Sequence, residues 1–379
     1  TVDHPWAVIF GFILISSPFI YYGVTLQKSY DLTASIPKTI ESVAGMDVLA
    51  RSFVMGELQP VQVIINCDEP LQLNSSTGLP TENVLQAVEQ ISTVLLDQYN
   101  IVSSIKTITR PNGEYISQDG ITEFQLQQML QFFSRDNTSI LMFIYLDIDP
   151  FSKEAIEIIP KISETIDELI NASPVFSNVE ITITGITALY SDLSIILKHD
   201  TPIMVTVTLI GVFLVLFVLL GSIFTPLRLE LTILVSVYIS LGMTNIIFHY
   251  ILDQPIIWFI PVTLFVTMFG LGMDFDILLV SRIKEEVEKG ASEKEAIKIA
   301  VKNTASLITS AGFIMASAFF SLLLSELWPL KIIGFAIGIA VLLDATVIRL
   351  LLVPALMMVM HRWNWWPYLR VSKKILEKR

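Results

Sequence analysis

Phe269-Gly-Leu-Gly-Met-Asp274-Phe-Asp276-Ile-Leu-Leu-Val-Ser281-Arg282 closes Trp258–Ser281, an apolar run long enough to cross a bilayer. Two carboxylates therefore stand where hydrocarbon is expected. Even on the lenient insertion scale each costs about 2.5–3.5 kcal/mol at bilayer depth. Chains retain such groups chiefly to move a proton or an ion, so transport is the first expectation. The competing reading is a structural Asp bonded to a Ser or Thr of a neighbouring helix.

Crossing about 30 Å of hydrocarbon takes roughly 20 mostly apolar residues. Six stretches qualify: Trp6–Val24, Pro202–Ile223, Leu229–Leu252, Pro255–Ser281, Ala305–Leu324 and Leu330–Met360. The first lacks a basic leader and a small-residue cleavage site, so it reads as a retained anchor. Lys and Arg concentrate at Arg228, between Arg282 and Lys302, and from Arg362 to Arg379. By the positive-inside rule these segments are cytoplasmic, as are both termini. The sequence thus divides into a membrane helix at 1–25, an outside domain at 26–200, and membrane helices 2–4 at 201–281. A cytoplasmic amphipathic segment at 282–304, membrane helices 5–6 at 305–360 and a basic, Trp-rich tail at 361–379 complete it. For 282–304, a helix lying along the membrane face and a solvated helical linker with i,i+4 ion pairs are both open.

Residues 27–200 carry 23 acidic and 9 basic side chains, although the whole chain is 53% hydrophobic and only 16% charged. No basic stripe is available for phosphates, so nucleic acid is not expected as a partner. Cys67 is the only cysteine, which excludes an internal disulfide and a cysteine metal cluster. The outside region alternates strand signals (Val61–Asn66, Ile101–Ile108, Ile140–Asp147, Val179–Thr184) with helix signals (Glu82–Tyr99, Thr122–Ser134, Lys153–Ile170, and from Thr187 into the second span). That order predicts an α+β, ferredoxin-like unit. Asn74, Asn137 and Asn171 open N-x-S/T sequons there, as candidate glycosylation sites.

Residues two apart on an α-helix point about 200° away from each other, so Asp274 and Asp276 cannot share a proton within one helix. Asp274 shares a face with Gly270, which would admit a close neighbour; Asp276 shares one with Gly272. Asp274 is accordingly expected to be the buried acid, with Asp276 nearer water. On the last span, Asp344 and Arg349 lie roughly 140° apart in α-helical geometry. They either join the transport chemistry or neutralise each other to hold the bundle. Gly334 and Gly338 give the same helix a small-residue face. No His-Glu-x-x-His, Gly-x-Ser-x-Gly or P-loop is present, so no catalytic residue, metal ligand or cofactor is expected. Gly270-Leu-Gly272-Met-Asp274 with Pro354-Ala-Leu356 only approximates an intramembrane aspartyl protease, since Met273 displaces the acid by one residue.

With these residues placed, the chain resembles one six-span half of an RND-superfamily transporter, in its MMPL or archaeal hydrophobe-exporter branch. The stretches that carry the likeness are Gly270–Glu286, Ile308-Thr-Ser-Ala-Gly312, Leu342-Leu-Asp-Ala345 with Arg349, Leu352-Val-Pro-Ala355, Trp363-Asn-Trp-Trp366 and Gly185-x-x-Ala188-x-x-x-Asp192. The resemblance implies a polytopic α-helical membrane protein of a prokaryotic, archaeal-type plasma membrane, with an outside porter domain. It implies proton-driven export of lipids or other hydrophobic or amphiphilic molecules, with membrane lipid, a hydrophobic substrate and a second six-span half as partners. Asp274 matches the family's proton-carrying Asp, with Asp276, Asp344 and Arg349 in support. Phe275 stands where the family has Tyr. Asp276 is a feature of C-terminal halves, and Phe275 leaves a non-transporting scaffold of the same fold as the alternative; a SecDF-like export factor ranks lower.

Overall fold

The computed structural model describes residues 3–31, 36–37, 40–52, 55–75, 77–117, 120–176 and 178–367. The basic residues Arg370, Lys373, Lys374, Lys378 and Arg379, on which the cytoplasmic tail was read, lie outside them. The chain divides into two compact units, Thr1–Pro37 with Asp200–Arg379, and Lys38–His199.

The unit Lys38–His199 is built on a four-stranded sheet: β1 (Val61–Cys67), β2 (Val102–Lys106), β3 (Ser139–Leu146) and β4 (Val179–Thr184), in the spatial order β2-β3-β1-β4. All three pairings are antiparallel. Alternation makes the sheet one-sided: Val61, Val63, Ile65 and Cys67 on β1, and Ile140, Met142, Ile144 and Leu146 on β3, point into one core. Two helices cover that face. Glu82–Gln98 contributes Val84, Val88, Ile91 and Leu95, and Lys153–Ala172 contributes Ile159, Ile162, Ile166 and Ile170, both at three- and four-residue spacing. Ser152 caps the second helix by accepting from the Ala155 amide. The helix predicted over Thr122–Ser134 is shorter, Glu123–Leu130, with a Thr122/Gln125 capping box at its start.

Asn74 lies exposed in a turn, Asn137 is half-buried with a left-handed backbone (φ 63°), and Asn171 is in the final turn of a helix.

Six helices are long and apolar enough to cross a membrane: Pro5–Val24, Ile186–Leu220, Phe224–Ile251, Phe259–Glu288, Glu293–Leu324 and Trp328–Met360. The third and sixth are the most enclosed, whereas the first, second and fifth turn most of their surface outward. Because lipid tails are as apolar as leucine, burial alone does not drive such helices together; small residues and polar links do. Both are present. Ser236 and Ser240 on the third helix donate to the carbonyls of Ala340 and Ala336 on the sixth, at 3.1 and 2.5 Å. Asn245 donates to the Tyr22 carbonyl at 2.8 Å, tying the third helix to the first. A Cβ on Gly242 would collide with the Phe19 carbonyl oxygen, and one on Gly23 with that of Tyr238. The Gly334/Gly338 face is likewise occupied, by Phe319, Phe320 and Leu322 of the fifth span. Gly270 is different: nothing lies within 4 Å of a Cβ built there, so the close neighbour expected at that position is not found among the described residues.

The segment 282–304 does not form a helix of its own. The fourth membrane helix continues to Glu288 and the fifth begins at Glu293. Its apolar residues Ile283, Val287, Ala296, Ile297 and Ala300 pack against Ile308, Ile348, Leu352 and Met357, not against a membrane surface. The polar side carries Arg282–Glu285, Arg282–Glu286 and Lys289–Glu285 ion pairs at 2.5, 3.3 and 2.7 Å. The hairpin is thus a rigid extension of two membrane helices.

Gly242→Leu should force the first and third helices apart at an overpacking cost of roughly 1–3 kcal/mol, read as a fall of several degrees in the unfolding temperature of the detergent-purified chain. Gly211→Leu, placed in open space, should leave that temperature unchanged.

Candidate functional site

The Trp328–Met360 span is not a uniform α-helix. Trp328–Leu343 is α-helical, Asp344–Leu352 is π-helical and Val353–Met360 is α-helical again. A π-turn hydrogen-bonds i to i+5 and recurs at functional sites. It brings residues five apart nearly above one another, so Asp344 and Arg349, far apart around an α-helix, meet directly. Arg349 donates through Nη2 to Asp344 Oδ2 and also to the backbone carbonyl of Gly272 on the fourth helix. Gly272 has no side chain to block that approach; a Cβ there would sit 3.4 Å from Ile233 and 3.9 Å from Arg349 Nη2.

The other side of the guanidinium faces Asp276, with Nε 3.2 Å from Oδ1. No hydrogen bond is aligned along that contact: both Asp276 oxygens, and Arg349 Nε and Nη1, lack a hydrogen-bond partner among the described residues. The contact is an ion pair by distance alone. Phe275 closes the cluster, its ring centroid 4.9 Å from the Arg349 guanidinium carbon, in cation–π range. Arg349, Asp276 and Asp344 are 0, 1 and 3% exposed. Two acids and one guanidinium would leave a net negative charge in a low-dielectric interior, where an unpaired charge costs several kcal/mol.

The assignment of burial between Asp274 and Asp276 is the reverse of the expectation. Asp276 is enclosed, and Asp274 is exposed on the opposite face together with Gly270 and Leu278. The helix face is chosen by Arg349 and the Gly272 carbonyl, which meet on the sixth-helix side, whereas a Cβ on Gly270 would meet nothing within 4 Å among the described residues.

Sequence reasoning missed a second set of groups. Arg228, taken only as a loop charge, is 4% exposed at the start of the third helix. Nε, Nη1 and Nη2 of Arg228 lack a hydrogen-bond partner among the described residues. Glu293 lies in the first turn of the fifth helix, where Oε1 accepts from Asn364 Nδ2 at 3.0 Å and Oε2 lies 3.1 Å from His361 Nδ1. Asn364 also donates to the Met357 carbonyl at 2.8 Å, and its own carbonyl accepts from Thr225 Oγ1 at 2.6 Å. The start of the third helix, the start of the fifth and the segment after the sixth are joined at these residues. No sequence spacing announces the set, since its members come from three distant parts of the chain.

Elsewhere in this unit, an apolar crevice of ≈ 220 Å³ opens between the first four membrane helices, lined by Val24, Met204, Val205, Leu234, Val237 and Phe265 among others. Exposed Lys28 is the one charged side chain among its described lining residues. No group of three or more metal-ligating side chains occurs among the described residues.

Six membrane-length helices around a buried acid–arginine cluster define a polytopic membrane protein with internal ionisable groups. Residues 34–378 match the MMPL family, and the chain belongs to it. The chain is 29% identical over 370 residues to the apo-petrobactin exporter of Bacillus anthracis, an alignment covering 97% of this chain and 44% of that protein. It is 31% identical over 271 residues to the sulfolipid-1 exporter MmpL8 of Mycobacterium tuberculosis (71% of this chain, 24% of that protein). With the probable transport protein MmpL10 of Mycobacterium leprae it shares 33% identity over 238 residues (62% and 23%). The chain spans less than half the length of these curated relatives.

Arg349→Ala should strip the cation that is hydrogen-bonded to Asp344 and ion-paired with Asp276, and cost about 3–5 kcal/mol. The expected readout is aggregation or a marked loss of thermal stability in detergent. Adding Asp344→Asn to that variant should recover a measurable part of the loss.

Proposed function

We propose that this chain is one half of a proton-coupled exporter of lipids or other hydrophobic or amphiphilic molecules in the cytoplasmic membrane. The observation that carries the reading is the Asp276–Arg349–Asp344 cluster: ionisable groups enclosed in membrane helices, with carboxylate oxygens that lack hydrogen-bond partners. Such groups change charge when a proton arrives, and a charge change inside a low-dielectric bundle repacks it. Membership of a family whose named relatives include exporters supports the same direction.

In this reading Asp274 has a separate role. An acid on an outward membrane face is too costly to leave against lipid, so that face is covered by protein, and a second six-span half is the partner that fits. Asp274 then works at the junction of the halves while Asp276, Asp344 and Arg349 work inside this one. Phe275 brings no hydroxyl to the junction; its ring instead shields Arg349. The Lys38–His199 unit is the outside porter domain, and its sheet order β2-β3-β1-β4 supports a ferredoxin-like fold. The Arg228, Glu293 and His361 end of the bundle is cytoplasmic by the distribution of Lys and Arg. The apolar crevice, with Lys28 among its lining residues, suits an amphiphile with an anionic head group.

The test is export of a fluorescent lysophospholipid by proteoliposomes that hold the complete transporter under an imposed pH gradient. Asp276→Asn and Asp274→Asn should each reduce gradient-driven export at least tenfold while assembly and stability are retained. Export by either variant at the wild-type rate removes that residue from the relay. Gradient-independent behaviour of the wild type would favour a scaffold role instead. Val205→Trp, which fills the crevice, should lower export without altering proton-dependent changes in the cluster.

A further inference from the structure

The crevice between the first four membrane helices is apolar along its walls and charged at one end. Its third-helix wall is Leu234, Val237, Tyr238 and Leu241, whose three- and four-residue spacing puts them on one helix face. From Leu234 to Leu241 that face runs about 10 Å along the axis. Val205 of the second helix and Phe265 of the fourth continue the apolar lining. Gly23 of the first helix packs against the Tyr238 carbonyl and the Gly242 amide, level with the Leu241 end of this wall. Lys28 comes five residues after Gly23, past the end of the first helix at Val24, and so stands at the mouth of the crevice. The backbone beside it is fixed. The Ser29 amide donates to the Ile256 carbonyl at 2.8 Å, and the Trp258 amide donates to the Ser29 carbonyl at 3.1 Å. Lys28 itself is exposed and has no ion-pair partner among the described residues.

We propose that this crevice takes one hydrocarbon chain of an amphiphile with a single anionic head, and that Lys28 is the residue that selects the charge. This rests on the exporter reading above and deepens it, naming the form of the amphiphile and the side chain that chooses it.

Volume sets the number of chains. A dry cavity of about 150 Å³ takes one benzene, or roughly 25 Å³ for each carbon. On that scale a crevice of ≈ 220 Å³ holds about nine carbons, which is one chain and not two. The walls do not supply the choice between amphiphiles. Lipid tails are as apolar as leucine, so a chain gains little by leaving the bilayer for Leu234 or Val237. Discrimination falls to the head group. Lys28 presents an ammonium with three donors and no acceptor. An anionic head accepts from it, a cationic head is repelled, and a neutral head only displaces its water. An exposed ion pair of this kind is worth up to about fivefold in affinity.

Photolabelling of the purified full chain in lipid nanodiscs tests this without a proton gradient. Decyl phosphate, decyl glucoside and decyltrimethylammonium, each with a diazirine at the chain end, are cross-linked and mapped by peptide mass spectrometry. Decyl phosphate should label the peptides that carry Val205, Leu234–Leu241 and Phe265 about fivefold more than the glucoside does. Lys28→Gln should remove that preference, and Lys28→Glu should transfer it to decyltrimethylammonium. Didecyl phosphate, with one charge and two chains, should label the crevice less than decyl phosphate. Val205→Trp should suppress labelling there by all of them. Equal labelling by the phosphate and the glucoside in the wild type, a preference that survives Lys28→Gln, crevice labelling by didecyl phosphate as strong as by decyl phosphate, or labelling that persists in Val205→Trp would overturn the proposal. The export assay separates the two levels. If labelling is unselective while the wild type still exports under a pH gradient, the Lys28 site is refuted and the exporter reading stands. If labelling is selective while Asp276→Asn and Asp274→Asn export at the wild-type rate, the relay falls and the Lys28 site stands.

Discussion

One guanidinium organises the interior of this membrane protein. Arg349 bonds to Asp344 on its own helix and to the Gly272 carbonyl of a neighbour, pairs with Asp276 across the bundle, and is covered by the Phe275 ring. Few groups other than Arg could serve, because only a planar fork with five donors reaches several acceptors at once. The constraint then propagates. A π-helical stretch is needed to bring residue 344 over residue 349, a glycine to let the side chain reach backbone, and a fixed rotation of the fourth helix to turn Asp276 inward. These features are separate in sequence and single in cause.

That rotation leaves Asp274 outward. The same helix therefore carries an internal acid paired with arginine and an exposed acid on its other face. Gly23 and Gly242 close against backbone of this unit, whereas a Cβ on Gly270 would meet nothing within 4 Å among the described residues. Counting Asp276, Asp344 and Arg349 together leaves an excess negative charge in a low-dielectric interior, where an unpaired charge is costly.

How much of this was legible beforehand follows from the range of the forces involved. The membrane helices, the one-sided sheet and its two covering helices were readable because hydropathy and its period of two or 3.6 are local properties. Asp276, Asp344 and Arg349 stood out because charge within apolar sequence is conspicuous anywhere. Their arrangement was not readable. Spacing alone placed Asp274 inside, since which face of a helix is buried depends on neighbours that spacing does not include, here Arg349 and the Gly272 carbonyl. For 282–304 the sequence left a membrane-face helix and an ion-paired linker both open; the structure shows i,i+4 ion pairs on one side and apolar residues packed on Ile348, Leu352 and Met357 on the other. Arg228, Glu293 and Asn364 were unremarkable in sequence and became a site only by convergence. Sequence by itself determined which segments enter the membrane and which ionisable groups go with them. Only the tertiary structure decided which acid meets arginine, because electrostatic pairing is set by distance across the bundle and not by distance along the chain.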